Sequence, residues 1–466
     1  MLVWIALLAA TLATMWLFRA TAAAAGLAAL AQCAQRTPRI LAYSGVSEAN
    51  KERAMRLLSI RLAGRSLSAG ARLLICALPF LALSALDALR VADIRAGLMD
   101  WRSNLALLAV AAPLGVLQSR RRAGAGERLL QRLSLGAPAV CDLSFDIELR
   151  RHGLAARAAP DGGQPVFVTG LARGGTTILT RLIHEAGAFA TPVYRDLPFP
   201  LAPNSWAALN ARSHRAVEAR ERGHGDGIVH DLDSPEAIEE VFWLTREDGR
   251  YRTPQGLSPE PPAAQTIADF GAYAALVRLR AGQPRYLSKN NNNVLRLPAL
   301  VEAFPDAILL HPFRDPLQQA CSLLNQHRRA LALSATDPFS QTFMHWLGHH
   351  EFGPGLRPYR LPGAPGPQDE PDSVDYWLSL WIAVYRWLLD DQPDVVRWRQ
   401  RFVDYDALCL DGGATRSGLA RTLGLSSAEP FVDLRPPRLH TVPPVATALA
   451  RQAMTLHDRL RARAAS

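Results

Sequence analysis

Residues 170–177 combine the backbone and side-chain features that bind a phosphate group. The segment reads Gly-Leu-Ala-Arg-Gly-Gly-Thr-Thr and lies between apolar stretches at 165–169 and 178–183. A strand, a glycine-rich turn and a helix in this order direct backbone amides and the positive end of a helix dipole at an anion. The segment fits the pattern G-x-x-x-x-G-K-[ST] except that Thr176 occupies the lysine position, and Arg173 supplies a cation three residues earlier. An anion site unlike that of a kinase or ATPase is predicted, with an ordinary tight turn as the alternative.

A second candidate anion-binding segment begins at Arg314. It follows an apolar run at 307–310, continues as Arg-Asp-Pro, and places Ser322 eight residues beyond Arg314. A guanidinium can grip a phosphate with two N–H donors, and a hydroxyl can add a third. Asp-Pro is also typical of a helix start, because Asp favours the N-cap and Pro the first helical position. Together, the two segments indicate a ligand with two separate phosphates.

The two segments resemble the donor-binding motifs of sulfotransferases that use 3′-phosphoadenosine 5′-phosphosulfate (PAPS). That family usually reads Lys/Arg-Ser/Gly-Gly-Thr-Thr at its 5′-phosphosulfate loop, and it binds the 3′-phosphate with an Arg and a Ser at the same spacing as here. The resemblance covers roughly residues 164–440. It implies PAPS as the sulfuryl donor, with no metal ion, and it implies these donor-binding residues: Arg173, Gly174, Gly175, Thr176, Thr177, Arg314 and Ser322.

Alternating apolar strands and helical stretches predict an α/β fold with a mainly parallel sheet. The resemblance identifies this part as a P-loop-like sulfotransferase domain, preceded by an N-terminal helical membrane region. Strands are expected at 165–169 and 306–311, and helices at 176–187, 235–246 and 316–331. Ligands bind at the carboxyl ends of the strands in such sheets, and both candidate segments follow a strand.

Lys289 is the predicted cation for the leaving group. Sulfuryl transfer builds negative charge on the bridging oxygen, and a compact ammonium can compensate it. The residue lies between the two segments and precedes four asparagines, in a chain with only two lysines. In cytosolic sulfotransferases a Lys-x-His segment holds a similar place, and its His is the base; here Asn291 stands at the His position. An amide does not take up a proton, so the base must come from elsewhere. A solvated surface lysine is the alternative.

Asp196 is the first candidate for that base. Other sulfotransferases with this loop place an acidic base a short distance after it, and Asp196 lies 23 residues beyond Arg173. Burial would have to raise the pKa of this carboxylate for it to work well. His184, in the helix that follows the loop, is the second candidate, with a packed or exposed histidine as its alternative.

Three further segments are notable, and two of them carry polar side chains that could serve an acceptor. Asp233 and Glu236 form a D-x-x-E capping box, with acceptor binding by Glu236 or Glu239 as the functional alternative. Residues 345–351 hold three histidines and a glutamate without the H-E-x-x-H order of a zinc site, so acceptor-site or structural roles are favoured over a metal. Residues 403–408 resemble the family's late Tyr-Glu/Asp-x-Leu strand end.

The N-terminal quarter indicates a membrane region over residues 1–122. Residues 1–18 are almost wholly apolar and two shorter apolar runs follow. A cleaved signal peptide is one alternative for the first run, and soluble core helices are the alternative for the others. The predicted hydrophobic helices span 1–23, 70–90 and 103–118.

The placement of basic residues predicts the orientation of this region. Basic residues concentrate at 33–72, and three arginines follow at 120–122. The positive-inside rule then places the N-terminus outside and residues 123–466 in the cytoplasm. We therefore expect an inner-membrane protein whose catalytic domain faces the cytoplasm, where bacteria keep PAPS.

The amino-acid composition narrows the classes of function that remain. The net charge is +10, but the basic residues are scattered without aromatic interleaving, so nucleic acid is not a predicted partner. Five cysteines occur singly, with neither a disulfide framework nor zinc spacing, and the preference for arginine over lysine indicates a GC-rich, bacterial coding sequence. Residues 123–163 read as a connector and 441–466 as a C-terminal helix.

The sequence thus predicts a membrane-anchored enzyme that moves a sulfuryl group from PAPS to a hydroxyl of a small-molecule or lipid-linked acceptor. A P-loop-like kinase or nucleotidase is one alternative, disfavoured by the missing lysine and by the lack of a clear acidic Mg²⁺ strand. An inactive membrane scaffold is the other.

Overall fold

The computed structural model describes most of the chain from Ala125 onward and isolated positions before it. The described residues are 125–158, 163–210, 220–221, 229–230, 237–253, 255–366, 368–410, 413–426, 434 and 437–464, with scattered positions between 10 and 82. The chain divides into two compact units, Met1–Glu127 and Arg128–Ser466.

The N-terminal unit is described at only a small share of its residues. Residues 70–79 are helical, and Thr21 Oγ1 lies 3.7 Å from Cys76 Sγ. Among the described residues, no helix combines the length and the apolar character needed to cross a membrane. Of the predicted hydrophobic helices, 103–118 lies outside the described residues and 1–23 and 70–90 lie partly outside them.

From residue 125 onward, the structure has these helices in chain order: α1 (Ala125–Ser134), α2 (Pro138–Ala158), α3 (Thr176–Glu185), α4 (Pro203–Asn210), α5 (Glu240–Arg246), α6 (Ala264–Ala281), α7 (Leu297–Ala303), α8 (Pro316–Thr336), α9 (Pro338–Trp346), α10 (Val374–Asp390), α11 (Asp394–Arg397), α12 (Tyr405–Leu410), α13 (Ala414–Thr422) and α14 (Thr447–Ala464). The strands are β1 (Val166–Val168), β2 (Phe189–Ala190), β3 (Arg220–Glu221), β4 (Val229–His230), β5 (Arg252–Thr253), β6 (Gly256–Leu257), β7 (Arg285–Lys289), β8 (Ile308–Phe313) and β9 (Gln400–Asp404).

Five strands form one parallel sheet in the order β2-β7-β1-β8-β9. Its register places Val168 of β1 opposite Lys289 of β7 on one side and opposite Leu310 of β8 on the other. The loops that follow these strands therefore leave the same edge of the sheet, which is where ligands bind in sheets of this kind. The prediction of an α/β fold with a mainly parallel sheet is confirmed.

Apolar side chains cover both faces of this sheet, which explains why the inner strands β1 and β8 are almost wholly apolar. Successive residues of a strand point to opposite faces, so Val166 and Val168 belong to one apolar cluster and Phe167 to another. Leu179 of α3 packs in the first cluster. The second is larger and rich in aromatic rings, such as Phe167 and Phe270 with centroids 6.2 Å apart.

The segment predicted as a connector, 123–163, contains α1 and α2. Phe145 of α2 belongs to the larger apolar cluster. The buried carboxylate of Glu148 accepts the backbone N–H of Asn204, in the first turn of α4, at 2.7 Å. α2 is therefore packed into the C-terminal unit. Within the C-terminal segment 441–466, the structure has α14 over Thr447–Ala464.

Candidate active site

The loop between β1 and α3 has a backbone that requires glycine. Gly175 immediately precedes α3 with φ +93°, and Arg173 also lies in the left-handed region with φ +66°. A Cβ on Gly174 would lie 2.9 Å from the carbonyl oxygen of Pro312, and a Cβ on Gly175 would lie 2.4 Å from Tyr405 Cδ2. The two glycines let the loop pack tightly against β8 and α12. The first backbone N–H groups of a helix have no partner within it, so those at the start of α3 can bind an anion.

A buried glutamine of α8, Gln319, holds this loop in place. Its Nε2 donates to the carbonyl oxygens of Ala172 at 3.0 Å and Leu171 at 3.3 Å. Its Oε1 accepts from Trp381 Nε1 at 3.0 Å and from the backbone N–H of Arg314 at 3.3 Å. One side chain thus ties the first candidate segment to the second. Sequence reasoning missed Gln319, because nothing in a helical glutamine alone indicates what it bonds to.

The two candidate anion-binding segments meet directly. Arg173 Nε donates to Ser322 Oγ at 3.0 Å across 149 residues of sequence. Ser322 is buried on α8, whereas Arg173 is half-buried in the loop. The residues that were assigned to different phosphates of one ligand are therefore neighbours in the folded chain.

Arg314 lies just beyond β8 with its side chain buried. Its Nε donates to Asp406 Oδ1 at 3.1 Å, and Asp406 Oδ2 accepts the backbone N–H of Asp315 at 2.7 Å. Asp315 also caps α8, since its carboxylate accepts the N–H of Gln318 at 2.9 Å, and Pro316 is the first helical residue. The Arg-Asp-Pro segment therefore starts a helix and also places an arginine at the sheet edge, so the helix start does not conflict with the predicted anion binding.

Four arginines concentrate positive charge around His440. Burial, followed by the charges of these arginines, lowers the pKa of His440; they are Arg314, Arg438, Arg173 and Arg329. Gln318 fixes the backbone of His440, because its Oε1 accepts the His440 N–H at 2.6 Å and its Nε2 donates to the His440 carbonyl at 3.2 Å. A polyanion is the ligand that such a cluster favours.

Lys289, the predicted leaving-group cation, ends β7 beside the loop and is half-buried. The next residue, Asn290, donates its N–H to the carbonyl oxygen of Val168 at 3.2 Å. Thr169 Oγ1 donates to the carbonyl oxygen of Asn291 at 3.4 Å. These bonds fasten the Lys289 segment to the residues that begin the loop.

The asparagines that flank Asn291 have structural partners. Asn293 Nδ2 donates to Glu239 Oε1 at 2.9 Å, and Asn290 Nδ2 donates to Glu240 Oε2 at 2.6 Å. Glu240 also forms a buried salt bridge with Arg296 at 2.9 Å. Glu239, considered above as an acceptor ligand, lies buried within this network.

Asn291, two residues beyond Lys289, bonds to a carboxylate. Its Nδ2 donates to Glu351 Oε1 at 3.2 Å, and His349 Nδ1 lies 3.6 Å from Glu351 Oε2. Burial raises the pKa of Glu351, but the hydrogen bond from His349 and the charges of His349 and Lys289 outweigh it and bring this pKa to about 2. Glu351 is therefore a carboxylate at neutral pH. Among the described residues, the buried Oδ1 of Asn291 has no hydrogen-bond partner.

The other two histidines of the 345–351 segment share one guanidinium. Arg252 Nη1 lies 3.3 Å from His345 Nε2 and 3.4 Å from His350 Nε2, so both ring nitrogens accept. Burial and neighbouring positive charges lower the pKa of His345, and they lower that of His350 to about 3. Within the part of the chain that the structure describes, no group of three or more His, Cys, Asp or Glu side chains is arranged to hold a metal ion. The capping-box residues Asp233 and Glu236 lie outside the described residues.

A cavity of about 240 Å³ opens along α8 beyond Ser322. Gln326, which lines it, follows Ser322 by about one helical turn, roughly 6 Å along the axis. The wall combines polar side chains, among them Tyr194, Arg329 and His349, with apolar ones, among them Leu333, Met344 and Phe352. A ligand that carries both polar and apolar groups fits this lining.

Neither of the two predicted bases, Asp196 and His184, lines this cavity. Asp196 is buried, and its Oδ2 accepts the N–H of Val193 at 2.9 Å and an Arg280 Nη2 donor at 2.8 Å. His184 lies in the last turn of α3, about 12 Å along the helix from Thr176, with Nδ1 3.2 Å from the Phe189 carbonyl oxygen.

One family model and several solved structures are similar to this chain. A family model described as the sulfotransferase family matches residues 165–429. The crystal structure of sulfotransferase STF1 from Mycobacterium tuberculosis H37Rv is 16% identical, with a TM-score of 0.34 over 76% of this chain and 90% of that one. Sulfotransferase STF9 from Mycobacterium avium is 14% identical, with a TM-score of 0.33 over 70% and 75%. The sulfotransferase domain from the olefin synthase of Synechococcus PCC 7002 is 18% identical, with a TM-score of 0.29 over 64% and 97%. No curated protein matches the chain.

Proposed function

Because the family match spans more than half of the chain, the protein belongs to the sulfotransferase family, and we propose that it transfers the sulfuryl group of PAPS to a hydroxyl group. The contact between Arg173 and Ser322 carries the proposal. It joins the loop suited to a 5′-phosphosulfate to the helix that bears the residues suited to a 3′-phosphate. One bound nucleotide with phosphates at both positions can therefore engage both.

The loop supplies the site for the 5′-phosphosulfate. Backbone N–H groups at the start of α3 and the hydroxyls of Thr176 and Thr177 donate to its oxygens, and the helix dipole favours the negative charge. Arg173 compensates the charge from the other side of the turn. Gly174 and Gly175 contribute by leaving room for this backbone path.

Arg314 and Ser322 supply the site for the 3′-phosphate. The bond to Asp406 uses Nε, and a guanidinium carries further N–H donors in the same plane. Asp406 can therefore orient the fork while the remaining donors bind phosphate oxygens. The positive charge gathered around His440 supports the same ligand.

Lys289 assists departure of the nucleotide. As the acceptor oxygen bonds to sulfur, the bond between sulfur and the bridging oxygen breaks, and the charge develops on adenosine 3′,5′-bisphosphate. An ammonium at the carboxyl end of β7, beside the loop, compensates that charge in the transition state.

Equilibrium binding to the full chain in detergent micelles tests the donor assignment. We expect adenosine 3′,5′-bisphosphate to bind and ATP to bind much more weakly. Preference for ATP would favour a kinase or nucleotidase. Binding of neither nucleotide would favour an inactive scaffold.

We also propose that residues 1–122 anchor the enzyme at the inner membrane, with the catalytic domain in the cytoplasm and a lipid or lipid-linked glycan as acceptor. The apolar character of residues 1–18 and the arginines at 33–72 and 120–122 support this arrangement. Tethering would confine the enzyme to the surface where such an acceptor lies. Reporter fusions after Arg122 and at the C-terminus test it: cytoplasmic reporter activity is expected, and periplasmic activity at either place would contradict it.

A further inference from the structure

A short path of contacts joins the donor edge of the sheet to the cavity. It begins two residues after Lys289, where the Asn291 amide donates to Glu351 at 3.2 Å, and it ends at His349, whose Nδ1 is 3.6 Å from the same carboxylate. His349 lines the cavity, and its side chain is 19% exposed. The side chain of Glu351 is 16% exposed. A histidine that lines the cavity is therefore backed by a carboxylate that also bonds to the segment following Lys289.

This arrangement has the form of a base and its orienting acid. With Nδ1–H directed at Glu351, the lone pair of His349 lies on Nε2, the nitrogen available to take up a proton. Hydrogen bonds of this kind are often long in a free enzyme and tighten when the substrate binds. The neighbouring rings of His345 and His350 differ from that of His349, because Nε2 of each accepts a hydrogen bond from Arg252.

Resting on the proposed sulfuryl transfer, we infer that the cavity beside α8 binds the acceptor, an alcohol on an apolar body, and that His349 is its general base, positioned by Glu351. His349 Nε2 removes the hydroxyl proton as the acceptor oxygen bonds to the sulfur of PAPS. The bond from sulfur to the bridging oxygen breaks, and adenosine 3′,5′-bisphosphate leaves with the electron pair. The proton remains on the imidazole, paired with the Glu351 carboxylate, until solvent removes it.

The surroundings of Asp196 favour this assignment. The Asp196 carboxylate bonds to the guanidinium of Arg280 at 2.8 Å and to a backbone N–H at 2.9 Å, both through Oδ2. Since this carboxylate is buried and does not line the cavity, it is poorly placed to take the proton of an acceptor bound there. His349 can accept a proton while keeping Glu351 as its partner.

Acceptors of different acidity separate a base from a structural residue. The full chain in detergent micelles is given [³⁵S]PAPS with either 1-octanol, which must lose its proton during transfer, or 4-nitrophenol, which is largely ionised in mildly alkaline buffer. The variants are His349→Ala, Glu351→Gln and Asp196→Asn, with His152→Ala on α2 as the matched control for loss of a histidine. Affinity for adenosine 3′,5′-bisphosphate is measured for each.

We expect His349→Ala to lower transfer to 1-octanol by about 10²- to 10⁴-fold, the usual contribution of a general base. Transfer to 4-nitrophenol and nucleotide affinity should stay near those of the unmodified chain, and added imidazole should restore part of the octanol activity. Glu351→Gln should lower the octanol rate less, without affecting the nitrophenol rate. His152→Ala should change neither rate.

Other outcomes overturn the inference. Equal losses with both alcohols in His349→Ala, or no loss with either, would show that His349 is not the base. A loss confined to octanol in Asp196→Asn would assign the base to Asp196. Nucleotide binding without transfer to either alcohol would remove the cavity as the acceptor site and leave the donor assignment intact, whereas absence of nucleotide binding would overturn the proposed function itself.

Discussion

Arg173 of the glycine-rich loop donates through Nε to Ser322 of α8 at 3.0 Å. The same helix carries Gln319, which holds the loop carbonyls, one turn before Ser322, and it carries Gln326 of the cavity one turn after it. Ser322, proposed to bind the donor, and Gln326, which lines the proposed acceptor cavity, therefore lie on the same helix. A reacting sulfuryl group and an acceptor can be held in fixed relation when one helix positions both.

Arg314→Ala is expected to weaken binding of adenosine 3′,5′-bisphosphate by about 1.5–3 kcal/mol, the contribution of a hydrogen bond to a charged group. Affinity for adenosine 5′-phosphosulfate, which lacks the 3′-phosphate, should barely change. Isothermal titration of both ligands makes the comparison. Arg328→Ala, on the same helix, is the matched control, because its exposed ion pair with Asp372 should contribute little. Equal losses for the two ligands would show that Arg314 does not read the 3′-phosphate.

Gly175→Ala is expected to lower both thermal stability and nucleotide affinity, and Gly187→Ala to lower only stability. Both glycines have positive φ, +93° and +80°, so each alanine incurs backbone strain of about 1–2 kcal/mol. Only at Gly175 would the new Cβ also meet the Tyr405 ring, since nothing lies within 4 Å of a Cβ on Gly187. Thermal unfolding and nucleotide titration of both variants separate strain from displacement of the loop. Unchanged affinity in Gly175→Ala would contradict a role for this backbone in binding.

The strand-loop-helix order of the two candidate segments was readable from sequence because it depends on local patterns of apolar residues, glycine and proline. The direct contact between Arg173 and Ser322 could not be predicted from sequence. The resemblance to a known family implied only that the two segments bind the same ligand. The roles of Gln319 and Asp406 escaped prediction because their partners lie far away in sequence. The pairing of Glu351 with Asn291 escaped for the same reason.

His350→Asn is expected to make stability less sensitive to acid. Burial, then the charges of His345 and Arg252, lower the pKa of His350 from 6.5 to about 3. Below pH 6.5 the His350 side chain is therefore protonated in the unfolded chain but neutral in the folded chain. Its contribution to the free energy of unfolding is fully present above pH 6.5 and is lost as the pH falls toward 3. Between about pH 7.5 and 5.5 the unmodified chain should lose on the order of 1 kcal/mol more than the variant. Chemical unfolding at both pH values measures this difference in stability, with His152→Asn as the control. Equal losses of stability in the unmodified chain and in His350→Asn would contradict a neutral, buried His350.

Lys289→Ala is expected to abolish a sulfated product in cells while leaving nucleotide binding in place, because the ammonium acts on charge that develops only in the transition state. Strains carrying the unmodified chain, Lys289→Ala or Lys51→Ala, which removes the chain's other lysine, are labelled with [³⁵S]sulfate and extracted with chloroform. A labelled, chloroform-extractable species should disappear only with Lys289→Ala.

If that chloroform-extractable fraction is unchanged while a water-soluble sulfate ester vanishes, the proposal of a lipid-linked acceptor is wrong and the proposal of sulfuryl transfer stands. If purified Lys289→Ala protein transfers label from PAPS to 4-nitrophenol as fast as the unmodified chain, Lys289 has no part in expelling the nucleotide, since a nitrophenolate acceptor still requires that same bond to sulfur to break.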